Sequence, residues 1–153
     1  AVETHSGGWI LRSAALSLHV EASGAVSLHS ASGACLRREA PPRFGGAHVR
    51  HTASLRPEER IYGLGESPAP WARNQPGLRL SLWNLDPGGR YAPGQPEIYL
   101  NIPVYLGLHK DGSYLVFYEN SFQGEVSFSE EQVTAAFSGG ALRYYLIAGK
   151  PPT

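Results

Sequence analysis

Turn-forming residues recur along this chain at intervals of about eight to twelve positions, and this spacing restricts the possible folds more than any other feature of the sequence. Ser23-Gly24, Ser32-Gly33 and Asp111-Gly112 each separate two short runs that contain apolar residues. Residues 16–20 and 78–82 alternate apolar and polar side chains, as half-buried strands do. Nowhere do apolar residues repeat at helical spacing over a dozen positions. We therefore predict an all-β protein of about a dozen strands with little or no helix, either a sandwich or a barrel.

The length and charge of the chain restrict the possible partners. Its 153 residues correspond to one domain, residues 1–153. Thirteen basic residues balance thirteen acidic ones without a basic stripe, which argues against nucleic acid and anionic membranes as partners. No apolar run approaches the ~18 residues of a membrane span. The only cysteine, Cys35, lies in an apolar run and is expected to be a small buried side chain.

Residues 83–94 form the loop in which a binding site is most expected. The loop combines Trp83, Asn84, Asp86, Arg90 and Tyr91 with several Gly and Pro residues, and loops on rigid sheets commonly carry function. The two aromatic side chains either stack on a ligand or simply pack. The amide and the guanidinium either bind hydroxyl groups or hold the loop. The acid precedes Pro-Gly, so it is also a plausible turn former.

The sequence indicates neither a metal nor a cofactor. His48 and His51 are three positions apart, which places them on opposite faces of an extended chain. His19 and His29 occupy matching places in adjacent strands, but no acidic or Cys ligands accompany them, and zinc requires three or four converging ligands. No phosphate-binding loop is present. We expect no metal site and no cofactor.

Five segments occur in an order that resembles a known family. They are IYGLGE (61–66), LWNLD (82–86), IPVYLGLH (102–109), FYENSF (117–122) and GGALRYYLIAG (139–149). In this order they are similar to the N-terminal β-sandwich domain of glycoside hydrolase family 31, the α-glucosidase and α-xylosidase group. The resemblance is specific over residues 61–122. One departure is Glu119, because the family often has Asp before the residue equivalent to Asn120.

The resemblance implies an antiparallel sandwich of the galactose mutarotase-like supersandwich type. It also implies that the chain is a piece of a longer one, with a catalytic (β/α)₈ barrel following Thr153. The family carries its catalytic Asp pair on that barrel, so no catalytic residue is expected here. The implied partners are this barrel and an α-linked oligosaccharide. Within the 83–94 loop, Asp86 matches the acid with which the family contacts sugar.

Two other interpretations remain open. A free-standing carbohydrate-binding sandwich requires exposed aromatic side chains on one sheet face, and a purely structural interaction domain requires no site at all. The sequence lacks the pattern of a signal peptide, from which we expect a cytoplasmic location. The choice among α-linked sugars is not encoded in this chain, since the resemblance places the reacting groups in the barrel.

Overall fold

Fourteen β-strands and no helix make up the part of the chain that the computed structural model describes, namely residues 1–5, 7–66, 74–86, 88–89 and 99–149. In those residues there is accordingly no helix able to span a membrane. The strands are β1 Val2–His5, β2 Gly8–Arg12, β3 Leu16–Glu21, β4 Val26–Ser30, β5 Cys35–Glu39, β6 Arg43–Gly45, β7 His48–Ser54, β8 Arg60–Gly63, β9 Arg79–Leu82, β10 Val104–His109, β11 Gly112–Tyr118, β12 Gly124–Phe128, β13 Gln132–Phe137 and β14 Tyr144–Gly149. The predicted all-β class is confirmed.

The strands form two antiparallel sheets. The larger follows the order β1-β2-β3-β4-β5-β7-β13-β12-β9, with β6 paired to β7 beside this path. The smaller has the order β14-β11-β10-β8. Consecutive strands joined by short turns account for most of the pairing from β1 to β5, as the turn signals predicted.

The hydrophobic core lies between the smaller sheet and the second half of the larger one. Along β10, β11, β12 and β13, buried residues alternate with less buried ones, so each strand turns one face inward. The core residues are Val49, Ala53, Leu55, Ile61, Leu64, Leu80, Leu82, Tyr105, Tyr114, Val116, Tyr118, Val126, Phe128, Val133, Ala135 and Phe137. The predicted sandwich is therefore confirmed, and none of these core residues lies in β1 to β4.

A buried polar cluster links the two sheets inside this core. Nε of Arg37 donates to Oε1 of Glu39 at 2.5 Å, and the ring of His51 lies 3.2 Å from Oε2 of the same carboxylate. The hydroxyl of Tyr118 is 2.9 Å from Nδ1 of His51, while Tyr144 donates to Glu39. Buried charges are tolerated when they are paired and hydrogen-bonded, and these contacts meet that condition for the carboxylate.

Burial alone would raise the pKa of Glu39, but its neighbours reverse that effect. The hydrogen bond from His51 and the positive charge of Arg37 lower the pKa to about 2. The guanidinium of Arg37 also lies over the rings of Tyr105 and Tyr114, at 5.5 and 4.9 Å from their centroids. The cluster thus holds one ion pair in an aromatic environment.

The segment Gly63-Leu64-Gly65 makes a tight left-handed passage at the end of β8. All three residues have positive φ, including Leu64 at 66°. A Cβ atom on Gly63 would lie 2.5 Å from the carbonyl oxygen of Val104, and one on Gly65 would lie 2.2 Å from that of Leu100. Only glycine permits this approach, because any other residue would place a side-chain atom against these carbonyl oxygens. Leu64 tolerates its conformation because its side chain is buried in the core.

One predicted strand is wrong over its described part. The sequence predicts strands at residues 97–102 and 104–109, interrupted at Pro103 by a bulge or at a sheet edge, but residues 99–102 form no strand. The amide of Val104 donates to the carbonyl of Ile102 across Pro103, a three-residue turn that interrupts any ladder before β10 begins. The carbonyl of Leu100 instead accepts a hydrogen bond from Glu66. This segment is therefore a loop held against the Gly63-Leu64-Gly65 passage.

Candidate functional site

A cleft of about 400 Å³ opens at one end of the sandwich. It lies where β9 ends, where β10 begins and just beyond the end of β11. Its lining residues are Leu82, Trp83, Asn84, Asn101, Pro103, Asn120, Ser121 and Phe122. Two of the five residues predicted for the site, Trp83 and Asn84, line this cleft.

Two aromatic side chains give the cleft apolar surface. Trp83 is 48% exposed and Phe122 is 52% exposed, so both offer ring surface to solvent. Flat apolar rings beside amide groups are the combination that binds sugars, whose ring C–H faces are apolar and whose edges carry hydroxyls. Phe122 was not predicted, although it belongs to the FYENSF segment that carried the resemblance.

Asn84 fixes the base of the loop. Its Oδ1 accepts hydrogen bonds from the backbone N–H of Asn101, at 2.8 Å, and from Nδ2 of the same residue, at 3.1 Å. These bonds hold together two points that are seventeen residues apart in sequence. Of the two predicted roles for Asn84, the structure displays the loop-holding one for its oxygen.

Asp86 lies on the surface two residues beyond Asn84. Its Oδ1 accepts the backbone N–H of Gly88 at 2.8 Å, which is an Asx turn. The side chain is exposed, and it is absent from the lining of the cleft. The turn-former interpretation therefore has a direct geometric basis, while contact with sugar stays a prediction. Arg90 and Tyr91, the remaining predicted residues, lie outside the described part of the chain.

Asn120 organises the opposite wall. Its Nδ2 donates to the carbonyls of Gly139 and Ala141 at 3.0 and 3.3 Å, and its Oδ1 accepts the N–H of Phe122 at 2.8 Å. The amide thereby sets the turn that carries Phe122 to the cleft. No local sequence signal reveals the contact of Asn101 with Asn84 or those of Asn120 with Gly139 and Ala141, because these partners are distant in sequence.

The neighbouring Glu119 is engaged elsewhere. Its two carboxylate oxygens accept hydrogen bonds from Tyr145, at 2.9 Å, and Arg143, at 3.2 Å. The first of these bonds raises the pKa of the Tyr145 hydroxyl. Both partners belong to the β14 region, so this carboxylate braces the edge of the smaller sheet.

Metal-ligand clusters are absent from the described residues, in which no group of three or more His, Cys, Asp or Glu side chains converges. The rings of His19 on β3 and His29 on β4 face one another, with centroids 4.5 Å apart. Each ring also lies within hydrogen-bond distance of a serine two residues earlier, Ser17 or Ser27 respectively. The pair is a local feature of that hairpin.

Comparison with known proteins agrees with the architecture. The family described as the glycosyl hydrolase 31 N-terminal galactose mutarotase-like domain matches residues 3–126. Alpha-xylosidase XylQ of Lactiplantibacillus pentosus is 33% identical over 108 residues, covering 69% of this chain and 13% of the xylosidase. Alpha-glucosidase 2 of Bacillus thermoamyloliquefaciens is 28% identical over 99 residues, covering 61% and 12% respectively. The chain thus spans about an eighth of the length of these curated relatives.

Solved structures show the same fold. A glycoside hydrolase family 31 dextranase of Flavobacterium johnsoniae, complexed with glucose, superposes with a TM-score of 0.85 at 20% identity, covering 97% of this chain and 18% of the dextranase. A cycloalternan-forming enzyme of Listeria monocytogenes, complexed with a pentasaccharide substrate, superposes at 0.81 with 19% identity, covering 98% and 15%. At these identities the likeness establishes the fold. Together with the match over residues 3–126, it identifies the chain as a member of the N-terminal galactose mutarotase-like domain family of glycoside hydrolase family 31.

Proposed function

We propose that this chain is the accessory domain of a retaining α-glucosidase-like glycoside hydrolase, and that its 83–94 loop helps to form the sugar-binding pocket. The catalytic (β/α)₈ barrel is carried by the same polypeptide beyond Thr153, and the substrate is an α-linked oligosaccharide. The observation that carries the proposal is the cleft in which Trp83 and Phe122 expose their rings beside three asparagines, on a domain of this family.

Some residues of the cleft hold its walls in position, and others are placed to contact a ligand. Asn84 and Asn120 use their amides to fix the two walls, so the rings of Trp83 and Phe122 are held in place before any ligand arrives. A preorganised aromatic surface loses little conformational entropy on binding. Asp86 extends beyond the cleft and retains one carboxylate oxygen outside its Asx turn. That oxygen is available to accept a hydroxyl hydrogen bond from a sugar.

The bond-breaking groups belong to the barrel. A retaining glycosidase needs two carboxyl groups about 5–5.5 Å apart, one as nucleophile and one as general acid. The most buried carboxylates described here are committed to structural partners: Glu39 binds Arg37, and Glu59 accepts a hydrogen bond from Tyr114. This chain therefore acts on substrate position and does not break the glycosidic bond itself.

A pair of tryptophan substitutions tests the proposal in the full-length protein. Trp83→Ala removes one of the two exposed rings of the cleft, and Trp9→Ala removes a ring of similar exposure, 50%, on β2 of the larger sheet. Loss of a stacking surface worth about 1.4 kcal/mol lowers kcat/KM roughly tenfold. We expect that loss for Trp83→Ala on an α-linked trisaccharide and little change for Trp9→Ala.

The outcomes separate the alternatives. Equal activity of the two variants contradicts a role for the cleft in substrate binding. A full-length protein that binds α-glucan, loses binding with Trp83→Ala and contains no catalytic domain identifies a carbohydrate-binding module instead. If the 153-residue chain alone hydrolyses the saccharide and one Glu substitution abolishes this activity, catalysis takes place in this domain. That result contradicts the assignment of bond breaking to the barrel.

A further inference from the structure

The outer face of the smaller sheet is apolar across all four of its strands. Alternation along β10, β11 and β14 directs one set of side chains into the core and the other set outward. The outward set includes Tyr62, Val104, Leu106, Leu108, Leu115, Phe117, Tyr145 and Ile147, which we call the outer apolar face. The remaining outward positions, Arg60, Ser113 and Gly149, lie together in the row that contains Leu108 and bound the face at that end. Ile147 is 62% exposed, an unusual position for so apolar a side chain.

Strand register makes this face continuous. Leu106 on β10 is opposite Leu115 on β11, and Leu115 is opposite Ile147 on β14. On the other side, Leu106 is opposite Tyr62 on β8. Directly opposed side chains on one sheet face lie about 4.5–5.5 Å apart at Cβ, so these four residues form one unbroken row.

A parallel row lies next to it. Val104, Phe117 and Tyr145 are opposed across the same three strands. The rings of Phe117 and Tyr145 stack with centroids 5.7 Å apart and planes inclined by 15°. The first row crosses all four strands of the sheet and the second crosses three of them, β10, β11 and β14.

The larger sheet has a different outer face. Its outward positions on adjacent strands include Thr52 and Thr134, whose hydroxyls are 3.0 Å apart, and Ser127. Arg79 and Glu125 form an exposed ion pair on the same face. The strands of the larger sheet that cover the core therefore meet solvent with polar groups, and the outer apolar face of the smaller sheet differs from them in this respect. Contiguous apolar patches of this kind mark interaction surfaces.

The apolar surface continues around the edge strand β14. A crevice of about 540 Å³ separates this strand from the N-terminal hairpins. Its apolar lining residues are Leu11, Leu16, Leu18, Val26, Leu28, Tyr144, Tyr145 and Leu146. Tyr145 belongs to both surfaces, so a body seated on the outer apolar face also reaches the crevice.

We infer that the outer apolar face is the surface on which the catalytic domain of the same polypeptide docks, an inference that rests on the proposed function. The chain covers only about an eighth of its curated relatives, so most of such a polypeptide lies outside it. Permanent interfaces are more hydrophobic than transient ones, which matches the composition of this face.

The position of the face relative to the cleft supports the same occupant. Pro103 lines the cleft, and the next residue, Val104, begins one row of the outer apolar face. On β11, Phe117 belongs to the outer apolar face, and Asn120, two residues beyond the end of that strand, lines the cleft. A domain covering the face therefore also borders the mouth of the cleft, as a shared sugar pocket requires.

One substitution measured in two contexts tests the inference. Ile147→Glu places a charge at the end of the four-residue apolar row, on the edge strand β14, and Ser54→Glu places the same charge on the exposed outer face of β7 as a control. Each variant is made in the 153-residue chain and in the full-length protein, and Tm is measured by calorimetry. Because each variant is compared between contexts, its intrinsic effect on the strand cancels.

We expect Ile147→Glu to leave Tm of the 153-residue chain within about 2 °C of the parent chain and to lower the first transition of the full-length protein by roughly 5 °C or more. Protease cleavage beyond residue 149 should accelerate in the full-length variant. Ser54→Glu should change neither protein.

Three results overturn the inference. Equal small shifts in both contexts mean that the face is solvent-exposed in the full-length protein. The second result combines two measurements: Ile147→Glu leaves Tm of the full-length protein unchanged, and in sedimentation analysis it dissociates dimers of the 153-residue chain. That result means that the face is occupied by a second copy of the chain. Equal large losses in both contexts mean that Ile147 supports this domain alone. Absence of a catalytic domain in the full-length sequence contradicts the proposed function before any of these measurements.

Discussion

The hydroxyl of Tyr144 on β14 donates a 2.5 Å hydrogen bond to Oε2 of Glu39 on β5, and this contact joins the two sheets through the interior of the sandwich. Residues 105 positions apart are thereby fixed to one another. Burial and the adjacent carboxylate raise the pKa of Tyr144, so the phenol stays protonated and remains a donor.

The low pKa of Glu39 predicts an acid-dependent loss of stability. The group is charged in the folded state down to about pH 2, whereas the unfolded chain takes up a proton near pH 4.5. Its contribution is therefore present above pH 4.5 and is lost as pH falls toward 2, up to roughly 3 kcal/mol. Urea unfolding of the 153-residue chain between pH 7 and pH 2.5 measures this slope.

Glu39→Gln should flatten that slope and lower stability at pH 7, since it leaves Arg37 as a buried cation without its carboxylate. Glu125→Gln is the matched control, because its ion pair with Arg79 is exposed and worth at most about 1 kcal/mol. A slope that survives Glu39→Gln would assign the acid sensitivity to other carboxylates.

The close packing around Gly107 limits the size of the side chain that this core position can hold. A Cβ atom there would lie 2.3 Å from the ring of Tyr114, which is buried and has no room to move. Overpacking of this kind costs about 1–3 kcal/mol, so Gly107→Ala should lower the free energy of unfolding by that amount. Gly45→Ala, where a new Cβ meets nothing within 4 Å, should be close to neutral in the same urea titration.

The hydrogen bond between Asn84 and Asn101 should protect the backbone amide of Asn101 from hydrogen exchange. Asn84→Ala removes the acceptor of the Asn101 amide and should speed hydrogen exchange at that amide, with a stability loss of about 1 kcal/mol. Asn84→Asp keeps a side-chain oxygen at the same place and should preserve protection. Equal exchange in the two variants would show that the loop base is held by other contacts.

Asp86 is tested in the full-length protein by two substitutions. Contact of its charged carboxylate with a sugar hydroxyl is worth about 1.5–3 kcal/mol, so Asp86→Ala should lower kcat/KM on an oligosaccharide roughly 10- to 150-fold. Asp86→Asn keeps the acceptor for Gly88 and hence the Asx turn, but removes the charge. Wild-type kinetics of Asp86→Asn would mean that the residue is only a turn former.

Sequence patterns predicted the parts of the fold that depend on neighbouring residues. The β10–β11 hairpin was expected from Asp111-Gly112 between apolar runs, and the alternating leucines of 78–82 place Leu80 and Leu82 in the core. Such patterns arise because each strand needs only one buried face. The same reasoning failed for residues 99–102, where Pro103 closes a turn that no alternation reveals.

Long-range polar contacts were beyond the reach of these patterns. Glu39 and His51 are charged or polar residues in short strands. Their neighbours in the sequence do not distinguish them from exposed polar residues, because they become buried only when β11 and β14 cover them. The cleft is a similar case. Trp83 and Asn84 were expected from their loop, whereas Asn101 and Asn120 acquire their roles only when strands distant in sequence meet.

The amide clasp between Asn84 and Asn101 has a consequence for how this domain evolves. Asn84 and Asn101 are hydrogen-bonded to one another on either side of residues 85–100, so the two ends of that segment are held together. Doubling the length of a closed loop costs only about 0.6 kcal/mol in closure entropy. Insertions or deletions between Asn84 and Asn101 should therefore change the length of this segment at little cost in stability, while the sandwich to which its two ends are attached stays unchanged.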